Sequence, residues 1–205
     1  MEFDPSSLPW QSIYKLMIGS IVPRPIGWIS SVNATGQPNL APFSFFNGVC
    51  ANPPHVLFCP MIRGSDGHPK DTLCNVRQTG EFVVNIVSEP LAQAMNLSSA
   101  EFPPEVNEFE AAGLAALPSV KVRPPRVAES AVQFECHLTQ IVNLGSGPGS
   151  GSVVIGEVVY VHVRDEVLFD QDKIRLESLR PIGRLGGDWY TRVINPFELL
   201  RPPPP

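Results

Sequence analysis

The pattern of hydrophobic and polar positions changes from helical to strand-like within the first 32 residues. Ile13, Leu16 and Met17 recur at the spacing of one helix face, which predicts a short helix over 9–18. Residues 26–32 instead alternate with a period of two, which is typical of a β-strand. The chain therefore begins with a helix and continues into a sheet.

Turn residues connect this strand to the next ones. The segment 33–36 (Asn-Ala-Thr-Gly) has turn chemistry, and the apolar positions return over 40–46, which predicts a hairpin. Pro53-Pro54 interrupts the pattern. Residues 56–62 are then apolar at successive positions, so we predict a third strand that is buried on both faces.

The second part of the chain combines short helices with long strands. The predicted elements are a helix that starts near Thr72 and ends at Gly80, a strand at 81–87, helices at 90–97 and 107–112, and strands at 126–144 and 152–164. This order favours one mainly β domain over 1–205 with tails at 1–8 and 197–205. We expect an antiparallel split β-barrel of Greek-key type, closed or nearly closed, with a few short flanking α-helices.

Composition narrows the class of protein. A chain of 205 residues with 43% hydrophobic and 17% charged residues can bury a core without disulfides or metal. No run of about 18 apolar residues predicts a membrane span. The N-terminus has neither a basic region nor an apolar stretch typical of a secretory signal, so we expect a cytoplasmic location and no membrane partner.

Charge and cysteine spacing argue against two further kinds of function. The net charge is −5 and the 15 Lys and Arg residues are scattered, so no basic surface for nucleic acid is predicted. The four cysteines form no CxxC pair and have no zinc-like spacing to histidine, so we predict no metal site and interpret them as buried and reduced. No nucleophile or Walker motif occurs, and no catalytic side chain is predicted.

An aromatic segment follows the second arm of the first hairpin. Ser44, Phe45, Phe46 and Asn47 place flat apolar surface beside hydrogen-bonding groups, as a planar heteroaromatic ligand requires. The alternative interpretation is the end of a strand that packs into the core. The sequence of this segment alone does not decide between the two.

A polar loop precedes the helix near Thr72. It contains two glycines and the side chains of Arg63, Ser65, Lys70, Asp71 and Thr72. Flexible backbone amides, cations and the first amides of a helix together favour an anion such as a phosphate monoester. The alternative is an ordinary surface loop in which Asp71 or Thr72 caps the helix.

The glycine-rich segment 145–151 looks like a nucleotide fingerprint but lacks its context. It connects two predicted strands and precedes no helix, whereas the dinucleotide motif requires a strand, a turn and a helix. We therefore interpret it as the mobile tip of a hairpin.

Several of these segments, taken in order, resemble the flavin reductase-like family, which includes flavin reductases and flavoredoxins of the FMN-binding split-barrel fold. The resemblance extends over about residues 14–193 and rests on the segments 24–31, 39–47, 53–54, 70–72, 75, 79–85 and 183–190. It implies a homodimer with one FMN per subunit near the subunit interface.

The resemblance also implies roles for individual residues. Those expected beside the isoalloxazine and ribityl groups are Ser30, Ser31, Ser44, Phe45, Phe46 and Asn47. Those expected around the phosphate are Arg63, Ser65, Lys70, Asp71 and Thr72. An ionised carboxylate cannot contact an anion directly, so Asp71 is expected to cap the helix or to donate through its backbone.

The implied chemistry explains why no acid–base motif is found. A flavin accepts hydride itself, and the protein supplies binding and electrostatics. The leading hypothesis is an NADH- or NADPH-dependent FMN reductase. A non-catalytic electron-transfer protein of flavoredoxin type is the alternative, and a split-barrel module without flavin is a third. The presence of Lys70 together with Thr72 argues against the third.

Overall fold

In the computed structural model, which describes residues 1–203, β-strands alternate with short helices. The strands are β1 (Gly27–Val32), β2 (Pro38–Phe43), β3 (Phe46–Ala51), β4 (Pro54–Phe58), β5 (Glu81–Ile86), β6 (Ala116–Leu117), β7 (Arg126–Val127), β8 (Val132–Leu144), β9 (Gly151–Val163), β10 (Leu168–Phe169), β11 (Lys173–Ile174), β12 (Ile182–Arg184) and β13 (Tyr190–Arg192). The α-helices are α1 (Trp10–Ser20), α2 (Asp71–Thr79), α3 (Ala92–Leu97), α4 (Glu108–Ala111) and α5 (Leu176–Leu179). Short 3-10 helices span Pro5–Ser7, Glu89–Leu91 and Asp165–Val167.

Seven strands form one sheet in the order β2-β1-β5-β8-β9-β4-β3. Every ladder in this sheet is antiparallel. The two edge strands, β2 and β3, are consecutive in the chain and are separated by only Ser44 and Phe45. Among residues 1–203 no ladder joins these edges. The mainly β antiparallel prediction is confirmed, but the sheet is not closed.

Two hairpins follow directly from local sequence. Between β1 and β2 the Asn33 carboxamide oxygen accepts hydrogen bonds from the amides of Thr35 and Gln37, and Gly36 adopts a φ of 88°. That conformation is one that glycine takes without steric cost. The long β8–β9 hairpin pairs Val132 with Val163 and continues to the 145–150 connection. The prediction that this segment connects two strands of a hairpin is confirmed, and its mobility stays a prediction.

The main core lies between the curled sheet and α2. Phe58 packs against Phe82 with ring centroids 5.2 Å apart, and Leu73 and Val76 of α2 complete this cluster. A side chain at Gly156 would place its Cβ 2.4 Å from the Phe82 ring. Glycine is therefore required where β9 passes this ring. A second cluster, on the other side of β1 and β2, contains Trp28, Leu40, Met95 and Phe109.

The helices and most strands agree with the prediction. α2 ends at Gly80, which adopts the left-handed conformation with φ 71°. The predicted strand 56–62 is wrong in two respects, because β4 ends at Phe58 and its side chains alternate in burial. Only one face of β4 covers the core. The predicted hairpin arm 40–46 divides into two strands, because β2 ends at Phe43 and β3 begins at Phe46.

The C-terminal tail and two of the cysteines are further points at which prediction and structure can be compared. The predicted tail 197–205 lies partly outside the described residues, and its described part, 197–203, has no regular secondary structure. Cys136 is buried, but Cys50 and Cys74 are exposed, so the prediction of buried cysteines is wrong for these two. Within residues 1–203, the length and hydropathy that a membrane crossing demands are found in none of the helices.

Candidate functional site

A small polar pocket lies at the N-terminus of α2. The cavity has a volume of about 60 Å³. Its walls are Asn39, Ala41, Pro42, Arg63, Lys70, Asp71, Thr72, Ser98–Phe102 and Glu108. The polar pocket thus joins the loop before α2 to the segment after α3, which lies about 30 residues further along the chain.

The start of α2 offers unpaired backbone donors to this pocket. Lys70 occupies the N-cap position with extended backbone, and no side chain caps the helix. The capping by Asp71 or Thr72 that the sequence suggested is therefore not found. The free amides of a first helical turn, together with the helix dipole, favour an anion at this point.

Thr72 is positioned to donate a hydrogen bond. Its side chain is 1% exposed, and its Oγ1 accepts a hydrogen bond of 3.0 Å from Nδ2 of Asn39. Because Asn39 acts as the donor, the hydroxyl proton of Thr72 remains free for another acceptor. Thr72 also lines the polar pocket. An oxygen of an anion in the pocket is a suitable acceptor.

Two cations and several carboxylates share the polar pocket. Nη2 of Arg63 lies 2.5 Å from Oδ2 of Asp71, and its Nη1 lies 3.5 Å from Asp66. Burial, and then the nearby Arg63, lowers the pKa of Lys70. Burial also raises the pKa of Glu108. The pocket therefore concentrates charge in a partly desolvated space without a complete set of partners.

A larger cleft with aromatic walls adjoins the polar pocket. One cavity of about 640 Å³ shares Arg63, Lys70 and Glu101 with the pocket and continues along α1 past Trp10 and Tyr14. A second, of about 330 Å³, is lined by Tyr14, Ile18, Arg24, Ile26, Pro42, Ser44, Met95, Ser99, Arg184, Gly187, Asp188 and Tyr190. A third, of about 520 Å³, lies between α1 and the tip of the β8–β9 hairpin. We call these three cavities together the aromatic cleft.

The cleft wall is built mainly by α1 and the link between β2 and β3. The rings of Tyr14 and Phe45 lie 6.5 Å apart in an edge-on arrangement, and Trp10 packs against Tyr14 in the same way. Gly149 of the hairpin tip lies so close to Trp10 that a Cβ there would be 2.6 Å from the indole. The predicted helix α1 therefore presents an aromatic face to a cleft rather than to a filled core.

The structure brings together many of the residues that the sequence suggested. Arg63, Lys70, Asp71 and Thr72 line the polar pocket. Ser44 and Phe45 line the aromatic cleft. Ser65 is exposed in the loop and donates a hydrogen bond of 2.8 Å to Glu101, which itself lines the pocket.

Other predicted residues lie elsewhere. Phe46 packs on the main core, with its ring against Gly27, and Asn47 is exposed on the edge strand β3. Ser30 and Ser31 are both 0% exposed and line neither the polar pocket nor the aromatic cleft, so their contact with a ligand stays a prediction.

The burial of Ser30 and Ser31 has a clear physical reason. The hydroxyl of Ser30 donates to the carbonyl of Pro125, and Oγ of Ser31 accepts a 3.1 Å hydrogen bond from Asn75 of α2. β1 is buried along its whole length because structure covers both of its faces. Alternation along a strand identifies its two faces, but it does not show that both are covered.

Several residues of the cleft were not identified from the sequence. Trp10 and Tyr14 have the i, i+4 spacing of one helix face, which could have indicated them. Arg24 and Arg184 lie in segments that carry the family resemblance, but no role was assigned to them. Ser99 has no local signal, because it enters the cleft only through the path of the chain after α3.

Comparison with known proteins settles the family. A family model described as flavin reductase like domain matches residues 18–176, which is most of the chain. The chain belongs to the flavin reductase-like family. A relative from Aquifex aeolicus, named only as an uncharacterized protein, is 43% identical over 199 residues, which cover 97% of this chain and 99% of the relative.

Solved structures agree with this assignment. Component B of nitrilotriacetate monooxygenase from Bacillus cereus superimposes with a TM-score of 0.91 and 36% identity, covering 97% of this chain and 98% of that chain. A protein from Shewanella frigidimarina, described as having a split barrel domain, gives a TM-score of 0.80 and 25% identity, with 99% and 98% coverage. The flavin reductase-like protein thus shares its fold with relatives over almost its full length.

The residues of the site fit a flavin that carries a phosphate. The polar pocket supplies Lys70, the uncapped amides of α2 and the free proton of Thr72, all of which suit an anion. The adjoining aromatic cleft supplies flat apolar walls and hydroxyls. A planar ring with a charged side chain requires this combination of surfaces.

Proposed function

We propose that this protein is an FMN-dependent flavin oxidoreductase that accepts hydride from NADH or NADPH. The observation that carries the proposal is the position of the polar pocket, which adjoins the aromatic cleft at Arg63, Lys70 and Glu101. One ligand can then occupy both regions, with its anion at α2 and its ring beside Tyr14 and Phe45. Bound flavin supplies the redox chemistry, since its ring accepts hydride.

The size of the polar pocket favours FMN over FAD. The pocket is about 60 Å³, and its lining includes Ser98–Phe102 and Glu108. A terminal phosphate fits such an end. The diphosphate and adenosine of FAD would have to pass the carboxylates of Glu101 and Glu108, which repel further negative charge.

Six residues of the site have distinct roles in this proposal. Lys70 neutralises charge on the phosphate, and Thr72 donates its free proton to a phosphate oxygen. Arg63 is held by Asp71 and approaches the anion from that position. Tyr14 and Phe45 cover the ring and limit water beside it. Asp71 acts by orienting Arg63 and by donating through its backbone, in keeping with the expectation from the resemblance.

We further propose that the protein works as a homodimer. Six large apolar side chains in or just after α1 are exposed, namely Trp10, Tyr14, Leu16, Met17, Ile21 and Val22. An apolar surface of this extent is typical of an interaction site. A second subunit placed there would also cover the open side of the aromatic cleft. Sedimentation of protein saturated with FMN should give a dimer, and a monomer at full occupancy would contradict this part of the proposal.

An optical titration followed by reduction tests the proposed function. Folded protein titrated with FMN should bind it at micromolar concentrations with a shift of the flavin absorption bands. Anaerobic addition of NADH or NADPH should then bleach the flavin band near the visible maximum. Bleaching by neither nucleotide, with FMN bound, would support the flavoredoxin-type electron carrier instead. Failure of folded protein to bind FMN would refute both.

A further inference from the structure

Arg24 is a buried cation in the wall of the aromatic cleft. The residue is 4% exposed and lines the 330 Å³ cavity. Its Nη1 donates hydrogen bonds of 2.7 Å to the carbonyls of Ile18 and Ile21, and its Nη2 donates one of 2.8 Å to the carbonyl of Leu185. The guanidinium thus joins the end of α1 to the segment after β12.

The same guanidinium extends to the link between β2 and β3. Its Nε lies 3.3 Å from Oγ of Ser44, and its Cζ lies 5.8 Å from the centre of the Phe45 ring. Three separate walls of the cleft, which are α1, the β2–β3 link and the segment after β12, therefore meet at one side chain. All of its acceptors are neutral.

The positive charge of Arg24 has no negative partner in the described part of the chain. Among residues 1–203 no carboxylate oxygen lies within 4.0 Å of it. A second cation, Arg184, lines the same cavity, and its own carboxylate contact is Asp188 at 3.9 Å on the surface. Burial lowers the pKa of Arg24. The nearby Tyr14 raises this pKa, and the positive charge of Arg184 lowers it further, but a guanidinium remains protonated at neutral pH.

An unpaired buried charge is unfavourable unless a ligand compensates it. Transfer of one hydride from a reduced nicotinamide adds two electrons and one proton to a neutral oxidised flavin ring. The ring thereby gains one negative charge, and the nicotinamide becomes its oxidised cation. The ring itself therefore carries negative charge only after reduction.

We propose that Arg24 is the residue that tunes the redox balance of the cleft, because its unpaired charge stabilises the reduced, anionic flavin more than the oxidised, neutral one. This inference rests on the proposed function. It assigns Arg24 two effects that can be separated: its hydrogen bonds hold the cleft walls, and its charge sets the relative affinity for the two redox states.

Two substitutions separate these effects. Arg24→Met removes the charge and the donors, whereas Arg24→Lys keeps the charge and loses the forked donors. Arg164→Met is the matched control, since Arg164 is exposed and does not line the cleft. For each protein the dissociation constant of oxidised FMN and the midpoint potential of bound FMN are measured, together with the thermal midpoint.

Arg24→Met should weaken binding of reduced FMN about tenfold more than binding of oxidised FMN, which lowers the two-electron midpoint potential by about 30 mV. Arg24→Lys should weaken both forms by similar factors and keep the potential within about 10 mV of the parent. Arg164→Met should change neither quantity. A parent-like potential in Arg24→Met, with FMN bound, would overturn the inference. If the midpoint potential fell by the same amount in Arg24→Lys, the effect would come from the geometry of the guanidinium and not from its charge. That result would also overturn the inference.

A measurement on the parent protein keeps the inference testable if Arg24→Met does not fold. Reduced FMN bound to the parent should show the absorption spectrum of the anionic form at a pH where free reduced FMN is neutral. The neutral spectrum would overturn the inference. If the parent does not bind FMN at all, the proposed function itself has failed, and this outcome is distinct from both results above.

Discussion

Two groups of charged residues in this molecule differ in how completely they are paired. The first is the polar pocket at α2, where Arg63, Lys70 and Asp71 share space with free backbone amides. The second, which we call the Glu135 cluster, consists of Glu135, His162 and the amides of Val120 and Lys121. Glu135 is 0% exposed, and Nε2 of His162 lies 2.6 Å from its Oε1.

The Glu135 cluster is complete by itself. Both oxygens of the carboxylate accept hydrogen bonds from backbone amides, at 2.8 Å from Val120 and 2.6 Å from Lys121. A buried charge with all of its partners stabilises a fold and leaves nothing for a ligand. In the polar pocket, Arg63 is paired with Asp71, but the uncapped amides of α2 and the hydroxyl of Thr72 remain donors for a ligand. Completeness of pairing therefore distinguishes a structural group from a candidate binding group.

The largest expected effect is the loss of stability when the Glu135 cluster is broken. Glu135→Ala leaves two partly buried amides and His162 without an acceptor and removes a fully buried side chain, so the free energy of unfolding should fall by about 2–4 kcal/mol. Chemical denaturation measures this. Glu166→Ala, which removes an exposed carboxylate, is the control and should change stability by less than about 0.5 kcal/mol. Equal effects of the two substitutions would show that the Glu135 cluster does not stabilise the fold.

Acid should reproduce part of that loss in the unmodified protein. Burial by itself raises the pKa of Glu135, but the hydrogen bonds from His162 and the two amides outweigh it, so the pKa lies below its ordinary value of 4.5. A depressed pKa contributes stability that is fully present above pH 4.5 and is lost as the pH falls through the folded-state pKa. Denaturation curves of Glu135→Ala should show less of this acid-induced loss than the parent does.

Substitution in the polar pocket should act on the ligand and leave the fold stable. Lys70→Ala should weaken FMN binding about ten- to a hundredfold, because a hydrogen bond to a charged group contributes about 1.5–3 kcal/mol. Riboflavin lacks the phosphate, so its affinity should hardly change. Lys173→Ala removes an exposed cation that pairs with Asp170 and serves as the control. Equal losses for FMN and riboflavin would indicate a disturbed fold instead.

The smallest effect is expected at Ser65, which the resemblance placed beside the phosphate. Its hydroxyl is exposed and is already bonded to Glu101. Ser65→Ala should change FMN affinity by less than about threefold, since surface substitutions alter free energies by about 0.5 kcal/mol or less. Titration with FMN measures this. A tenfold loss would show that the loop rearranges around the ligand and that Ser65 belongs to the site.

Much of the polar pocket could be predicted because its key residues are close together in sequence. The loop 63–70, the start of α2 and its end at Gly80 follow from local turn and helix chemistry, which depends on neighbouring residues. The aromatic cleft could be predicted only in part. Its walls include Ser99, Glu101 and several residues of 184–190, which are far from α1 along the chain and meet it only after folding.

Ser30 and Glu135 show that local sequence also fails to predict which strand residues are buried and what they contact. Ser30 was expected at a ligand and is buried, and no role was predicted for Glu135, which lies at the centre of a buried cluster. Both lie on strands with ordinary alternation. A side chain's partners across a sheet depend on strand order and on what covers each face, which local periodicity does not contain.

The sequence by itself determined the helices, the hairpins, the polar loop and the antiparallel β class, because each depends on contacts over a few residues. Tertiary structure alone decided that the sheet stays open between β2 and β3, that both faces of β1 are covered, and that Arg24 joins three walls of one cleft. These features depend on contacts between segments up to 161 residues apart, whose geometry is fixed only when the whole core packs.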